Sequence, residues 1–288
     1  MDYLFSGCSS LSHLDISSFD KTPQLRTMRG MFYSCFSLQN MDLSNFNTTI
    51  VKYMDYMFYK AFSIRTIKFL KETDSYFNTF SVETMRYMFA YCRSLEYLDL
   101  SIWNTSNVYD MSFMFKDCST ITSVNLSNFE LNSIITMEKM FENCLNLIYV
   151  NLNISDDQRV RNLDNIFDKT PPNMVFCIKQ EKYIQIYELL MESKKECVSW
   201  VCDKDYLNSR KKLIIDSNDN TKYKCVDFCK DIKDDKYFDY KFSCYKECPN
   251  ITFPDESNEF EEDNTCRPLA EKRDCSLQDY ILNITIKS

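Results

Sequence analysis

A dipeptide of an apolar residue followed by phenylalanine returns seven times, and no other feature of the sequence narrows the fold as much. The phenylalanines are Phe5, Phe32, Phe58, Phe89, Phe115, Phe141 and Phe167, at spacings of 27, 26, 31, 26, 26 and 26 residues. Three residues after each stands Cys8, Cys35, Ala61, Cys92, Cys118, Cys144 or Thr170. In the first six units a Leu or Ile three further on opens an L-x-x-L-x-L run. Runs such as Leu38/Met41/Leu43 and Leu95/Leu98/Leu100 end in alternation of period two, which predicts a short half-buried strand. Val108 and Met111 stand seven and four positions before Phe115, and the other units keep similar spacing. That spacing predicts one or two turns of helix carrying V-x-x-M-x-x-M-F inward and returning the chain to the next strand.

One strand and one short helix cannot bury their own apolar face, so the units are expected to stack. The expected fold is therefore an α/β repeat over residues 1–176, a leucine-rich-repeat-like right-handed solenoid with parallel strands on its concave face. Ser44-Asn45 and Ser127-Asn128 are expected to turn the chain through side-chain bonds to the backbone. Five extra residues of the third unit, within 71–80, should form a surface loop. The repeat cysteines are expected to point inward as small apolar residues and to stay thiols, since the position accepts Ala61. Beyond Pro171-Pro172, residues 174–177 read as a closing strand. A helix with Tyr183, Tyr187, Leu190 and Met191 on one face should then cap the stack within 177–202.

Composition removes most enzyme classes. Two glycines, Gly7 and Gly30, cannot build a P-loop or a dinucleotide-binding turn. His13 is the sole histidine, so no histidine-rich metal site or hydrolase triad has its usual members to hand. Asp15 and Asp42 could pair as carboxylates, but nothing in the sequence supplies a pocket around them. A net charge of −8 argues against tracking nucleic-acid phosphates. No cofactor is expected, and the chain is read as non-enzymatic.

The composition changes near residue 176: residues 1–176 carry 34 charged side chains (19%), and residues 177–288 carry 42 (about 38%). Apolar residues are sparse from 216 to 275, so residues 203–288 are expected to form a cysteine-rich module held by cross-links. Its candidates are Cys197, Cys202, Cys225, Cys229, Cys244, Cys248, Cys266 and Cys275, with Cys177 either left over or paired with one of them. The rival reading is a four-cysteine zinc site, because Cys225/Cys229 and Cys244/Cys248 have permissible ligand spacing. The first reading goes with an exported protein, the second with an intracellular repeat scaffold.

The string M-x-x-M-F-x-x-C-x-S-L-x-x-L-D-L-S, most complete from Met85 to Ser101, resembles the BspA-like leucine-rich repeats of bacterial and protist surface proteins. The resemblance covers about 170 residues. It departs where Ala61 and Thr170 replace the cysteine and where Ser155 takes the place of an aromatic. It implies a cell-surface or secreted binding solenoid, often adhesive, with no catalytic residues to carry over.

The candidate partner-binding wall consists of His13, Asp15, Asn40, Asp42, Tyr97, Asp99, Asn125, Tyr149 and Asn151, which strand alternation places together. Its expected ligand is a protein or glycan on another cell or matrix. The competing reading is that stacked Asp and Asn only bond to neighbouring layers. Sequons at Asn47, Asn104, Asn250 and Asn283 are candidate glycosylation sites. Residues 1–5 align with residues 28–32, so the chain is expected to begin inside a repeat of a larger extracellular or cell-surface protein, with signal and anchor elsewhere.

Overall fold

A computed structural model describes residues 1–16, 24–69, 77–100, 102–151, 160–177, 188, 197–202, 207–215, 223–232, 238–247, 249, 252–254 and 265–268. The chain divides into two compact units, Met1–Asn208 and Ser209–Ser288.

The first unit is a parallel β-solenoid. β1 (Asn40–Asp42) pairs in parallel with β2 (Thr66–Lys68). β3 (Ser123–Asn125), β4 (Tyr149–Asn151), β5 (Val175–Cys177) and β6 (Ser199–Trp200) form a second parallel sheet in that order. Strand centres are buried where the alternation requires it, as at Met41, Ile67, Val124 and Val150. Residues 95–100 match the strand pattern and bury Leu95, Leu98 and Leu100, yet they join no strand. A second ladder of single parallel bridges links Thr27, Tyr53, Thr84, Asp110, Thr136 and Asn162, five bridges in succession.

The helical return is not there: the described repeats contain no α-helix, and reverse turns take its place. In the second repeat the amides of Met31, Tyr33 and Cys35 donate to the carbonyls of Met28, Gly30 and Phe32. Gly30 and Ser34 sit between these turns in the left-handed region, at φ 55° and 57°. Pairs of left-handed residues four apart recur as Tyr56/Lys60, Tyr87/Tyr91, Phe113/Asp117, Lys139/Asn143 and Asn165/Lys169. The geometry aims alternate amides at the next repeat, so Gly30, Phe32 and Ser34 donate to Asp55, Met57 and Tyr59 carbonyls at 2.8–2.9 Å. A helix would satisfy those amides internally and leave the layers without hydrogen bonds to each other. Met28, Met31, Phe32 and Cys35 are all fully buried, so the spacing was right about what points inward and wrong about the backbone that achieves it.

Seven phenylalanine rings run through the core in one stack, from Phe5 to Phe167. Successive centroids lie 5.1–5.8 Å apart, with planes within 17° of parallel. Phe176 on β5 ends the stack edge-on at 5.0 Å from Phe167. β6 adds a further strand, which sequence reading missed, and Trp200 packs 5.8 Å from Phe176. The capping helix expected at Tyr183, Tyr187, Leu190 and Met191 lies outside the described residues. So does most of the 71–80 loop; Phe77 and Thr79 are already back in the core.

The second unit holds a four-stranded sheet, in the order β8-β7-β10-β9, from β7 (Lys212–Ile215), β8 (Tyr223–Val226), β9 (Phe238–Tyr240) and β10 (Ser243–Tyr245). β11 (Thr252–Pro254) and β12 (Cys266–Pro268) pair antiparallel beside it. With little apolar burial available, the short turn Cys229–Asp231 is tied to β10 by the Cys229–Cys244 disulfide.

Candidate interaction site

Parallel pairing brings the predicted wall residues into register. Asn40 lies beside Thr66, and Asp42 beside Lys68. Ser123 lies beside Tyr149, and Asn125 beside Asn151. Thr66 donates its hydroxyl to Asn40 Oδ1 at 2.7 Å. Lys68 Nζ stands 3.9 Å from Asp42, an exposed pair that contributes little stability. Tyr97 is 65% exposed, the most exposed of the large apolar side chains among the described residues. His13 and Asp15 are exposed as expected, and His13 Nδ1 meets Ser12 Oγ at 3.0 Å. Asp99, Tyr149 and Asn151 are half-buried.

The column is not wholly at the disposal of a ligand. Asp42 Oδ1 accepts the amide and hydroxyl of Ser44 at 2.9 and 2.5 Å, and Asn125 Oδ1 accepts the Ser127 amide at 3.1 Å. These bonds bend the chain after the strand, so the turning side chains are Asp42 and Asn125, at the strand ends, rather than Ser44-Asn45 and Ser127-Asn128 as expected; Ser44 and Ser127 supply the backbone amides. The residues two positions earlier, Asn40, Thr66 and Tyr97, carry no such duty and are exposed.

Four repeat cysteines are buried thiols. Cys35, Cys92, Cys118 and Cys144 donate to the carbonyls of Phe5, Phe58, Phe89 and Phe115, each in the preceding repeat, at 3.0–3.3 Å. Burial pushes the Cys35 thiol up to about 11 and that of Cys144 up to about 12, and raises Cys92 and Cys118 too. Low thiolate content and burial together make them unreactive. Cys8 departs from the expectation: it is a free thiol but exposed.

The described cysteines from 177 onward are oxidised. Cys177 pairs with Cys202, and Cys229 with Cys244. Cys197, Cys225 and Cys266 are also disulfide-bonded, while Cys248 and Cys275 lie outside the described residues. The Cys229–Cys244 bond takes one sulfur from each C-x3-C pair, which leaves the four-cysteine zinc reading without its ligand set. Disulfides persist in oxidising compartments, and these point to a protein outside the cytosol. Among the described residues no helix is long and apolar enough to cross a membrane.

Of the sequons, Asn47 and Asn104 occupy equivalent outer turns. Asn47 Oδ1 accepts from the Thr49 amide and hydroxyl, and Asn104 Oδ1 does the same with Ser106. Each asparagine therefore has a turn-building role independent of any glycan. Asn250 and Asn283 lie outside the described residues.

Sequence reasoning missed a belt of tyrosines on the turn segments. Tyr33, Tyr56, Tyr59 and Tyr87 touch one another at 5.0–6.5 Å between centroids. The available signal was their placement two residues before or one after the core phenylalanine, at left-handed or outward positions that a helical reading scatters around an axis.

These features define a class, an all-β repeat solenoid joined to a disulfide-bonded module. Its repeats match the family described as Mycoplasma protein of unknown function, DUF285, over residues 1–68 and 64–174, and the chain belongs to that family. No curated protein and no solved structure matches the chain.

Proposed function

We propose that the chain is a non-enzymatic interaction protein of the cell surface or secreted space, which binds a protein or glycan partner through its solenoid. The observation that carries this reading is the in-register, exposed strand wall on a protein whose second module is cross-linked by disulfides. Repetition at one-layer spacing gives such a wall many equivalent weak contacts along one line, which suits an extended partner. The resemblance to BspA-like surface repeats supports an adhesive role, and the disulfides support export.

The test is a display screen against extracellular proteins and glycans, followed by a variant combining Asn40→Ala, Thr66→Ala and Tyr97→Ala, all three exposed. The reading expects roughly tenfold or greater loss of affinity for the captured partner at unchanged melting temperature, since exposed positions contribute little to stability. Unchanged affinity would remove the strand wall from the binding surface.

A further inference from the structure

The tyrosine belt carries a charge pattern unlike that of the rest of the chain. Tyr56, Tyr87 and Phe113 stack at 5.1 and 4.4 Å with nearly parallel planes, and Tyr33 stacks on Tyr59 at 5.0 Å. Their faces are covered by neighbours, so the rings offer edges rather than faces outward. Gly30 makes room for the end of the belt, because a Cβ there would stand 2.2 Å from the Tyr3 ring.

Five cations lie over these rings and the adjoining Tyr53 and Phe62, of which Lys139, 5.8 Å from the Phe113 centroid, is paired with Glu138 at 3.8 Å. Arg29 sits 4.0 Å above Tyr53 and is spoken for, with Nε bonded to Asp55 at 2.9 Å. Lys60 lies 5.3 Å from the Tyr59 centroid, Arg86 5.3 Å from that of Tyr87, and Arg93 5.2 Å from that of Phe62. None of these three has a carboxylate partner among the described residues. Asp55 accepts bonds from Arg29 and the Arg86 amide, and Asp2 accepts from Thr27 and the Arg29 amide. With five cations against three carboxylates already engaged, Asp2, Asp55 and Glu138, the belt is locally basic in a molecule of net charge −8.

We infer that the belt formed by Tyr33, Tyr59, Tyr87, Lys60, Arg86 and Arg93 is a docking surface for an acidic polypeptide segment bearing aromatic or aliphatic side chains. Guanidinium and ammonium groups held against rings keep their donors turned outward, ready for carboxylates. Ring edges between them fit apolar side chains, and tyrosine and arginine together are the residue types that dominate protein–protein contact energy. Covered ring faces argue against sugar stacking. Three unpaired cations on an acidic chain are too few for a dense polyanion, whose affinity grows with every phosphate or sulfate neutralised. The site is separate from the strand wall, and neither reading depends on the other.

The experiment measures fluorescence anisotropy of a labelled Glu-Glu-Phe repeat peptide titrated with the full chain at low ionic strength. A Gln-Gln-Phe peptide and a heparin oligosaccharide serve as comparison probes. Lys60→Glu, Arg86→Glu and Arg93→Glu combined should weaken the acidic peptide at least about tenfold, with added salt acting in the same direction. The strand-wall variant should bind the peptide like wild type. Should the triple reversal fail to fold, Arg93→Gln alone reads the same surface, through a weaker salt dependence. Equal binding of the Gln-Gln-Phe peptide, preference for heparin, absence of binding, or indifference to the charge reversals would each overturn the proposal.

Discussion

At the scale of single residues, the solenoid depends on side chains that serve the backbone of the next layer. Thr48, Thr79 and Thr105 are almost fully buried, and each hydroxyl donates to one carbonyl while accepting from the amide of the same residue, Asn78, Asn104 or Glu130. Thr105→Val keeps shape and removes both bonds, leaving the Glu130 amide and carbonyl short of partners. The expected cost is about 2–4 kcal/mol, against about 1 kcal/mol for Thr105→Ser, which keeps the hydroxyl. Urea denaturation of the two variants checks it; a valine variant as stable as the serine variant would remove the ladder from the account. This ladder was invisible in sequence, because a threonine in a polar turn looks solvent-exposed until the neighbouring layer is in place. The cysteine column was legible for the opposite reason: a position accepting both Cys and Ala61 has to be small and apolar.

At the scale of elements, the contest is between a helix and a string of turns that bury the same positions. Inter-layer hydrogen bonds decide it, and they require left-handed residues such as Tyr56, Lys60, Phe113 and Lys139. Each such residue costs on the order of 1–2 kcal/mol, a strain that the surrounding stack has to hold. Tyrosine and lysine give no local warning of a left-handed backbone, so the turns could not be read from the sequence, whereas β1 to β4 could be read from alternation, although the same pattern at residues 95–100 joins no strand. The stack itself makes a graded prediction. Phe115 lies between Phe89 and Phe141 at 5.5 and 5.4 Å, fully buried, and Phe115→Ala should cost about 3–5 kcal/mol. Phe5 has a described ring on one side only and is partly buried, so in this chain Phe5→Ala should cost clearly less. Equal losses in melting experiments would contradict a linear array.

At the scale of the whole molecule, the two units solve the problem of stability by different chemistry. The first buries a continuous apolar core of Met, Phe, Leu and Cys and needs no cross-link within its repeats. The second spends its sequence on charge and holds its strands by disulfides. That division was legible in the cysteine spacing, although the partner of Cys177 was not, because Cys202 meets it only once β6 has paired with β5. The candidate wall was legible as a set of residues, but its two columns differ in duty, and only the hydrogen bonds of Asp42 and Asn125 reveal that.

The most direct measurement is peptide mapping of the chain secreted from a eukaryotic host, alkylated first without reduction and then after denaturation. The account predicts that Cys35, Cys92, Cys118 and Cys144 take up label only after denaturation, and that Cys177–Cys202 and Cys229–Cys244 are recovered as cross-linked peptides. Cross-links among the repeat cysteines, or free thiols at Cys177, Cys202, Cys229 and Cys244, would contradict it.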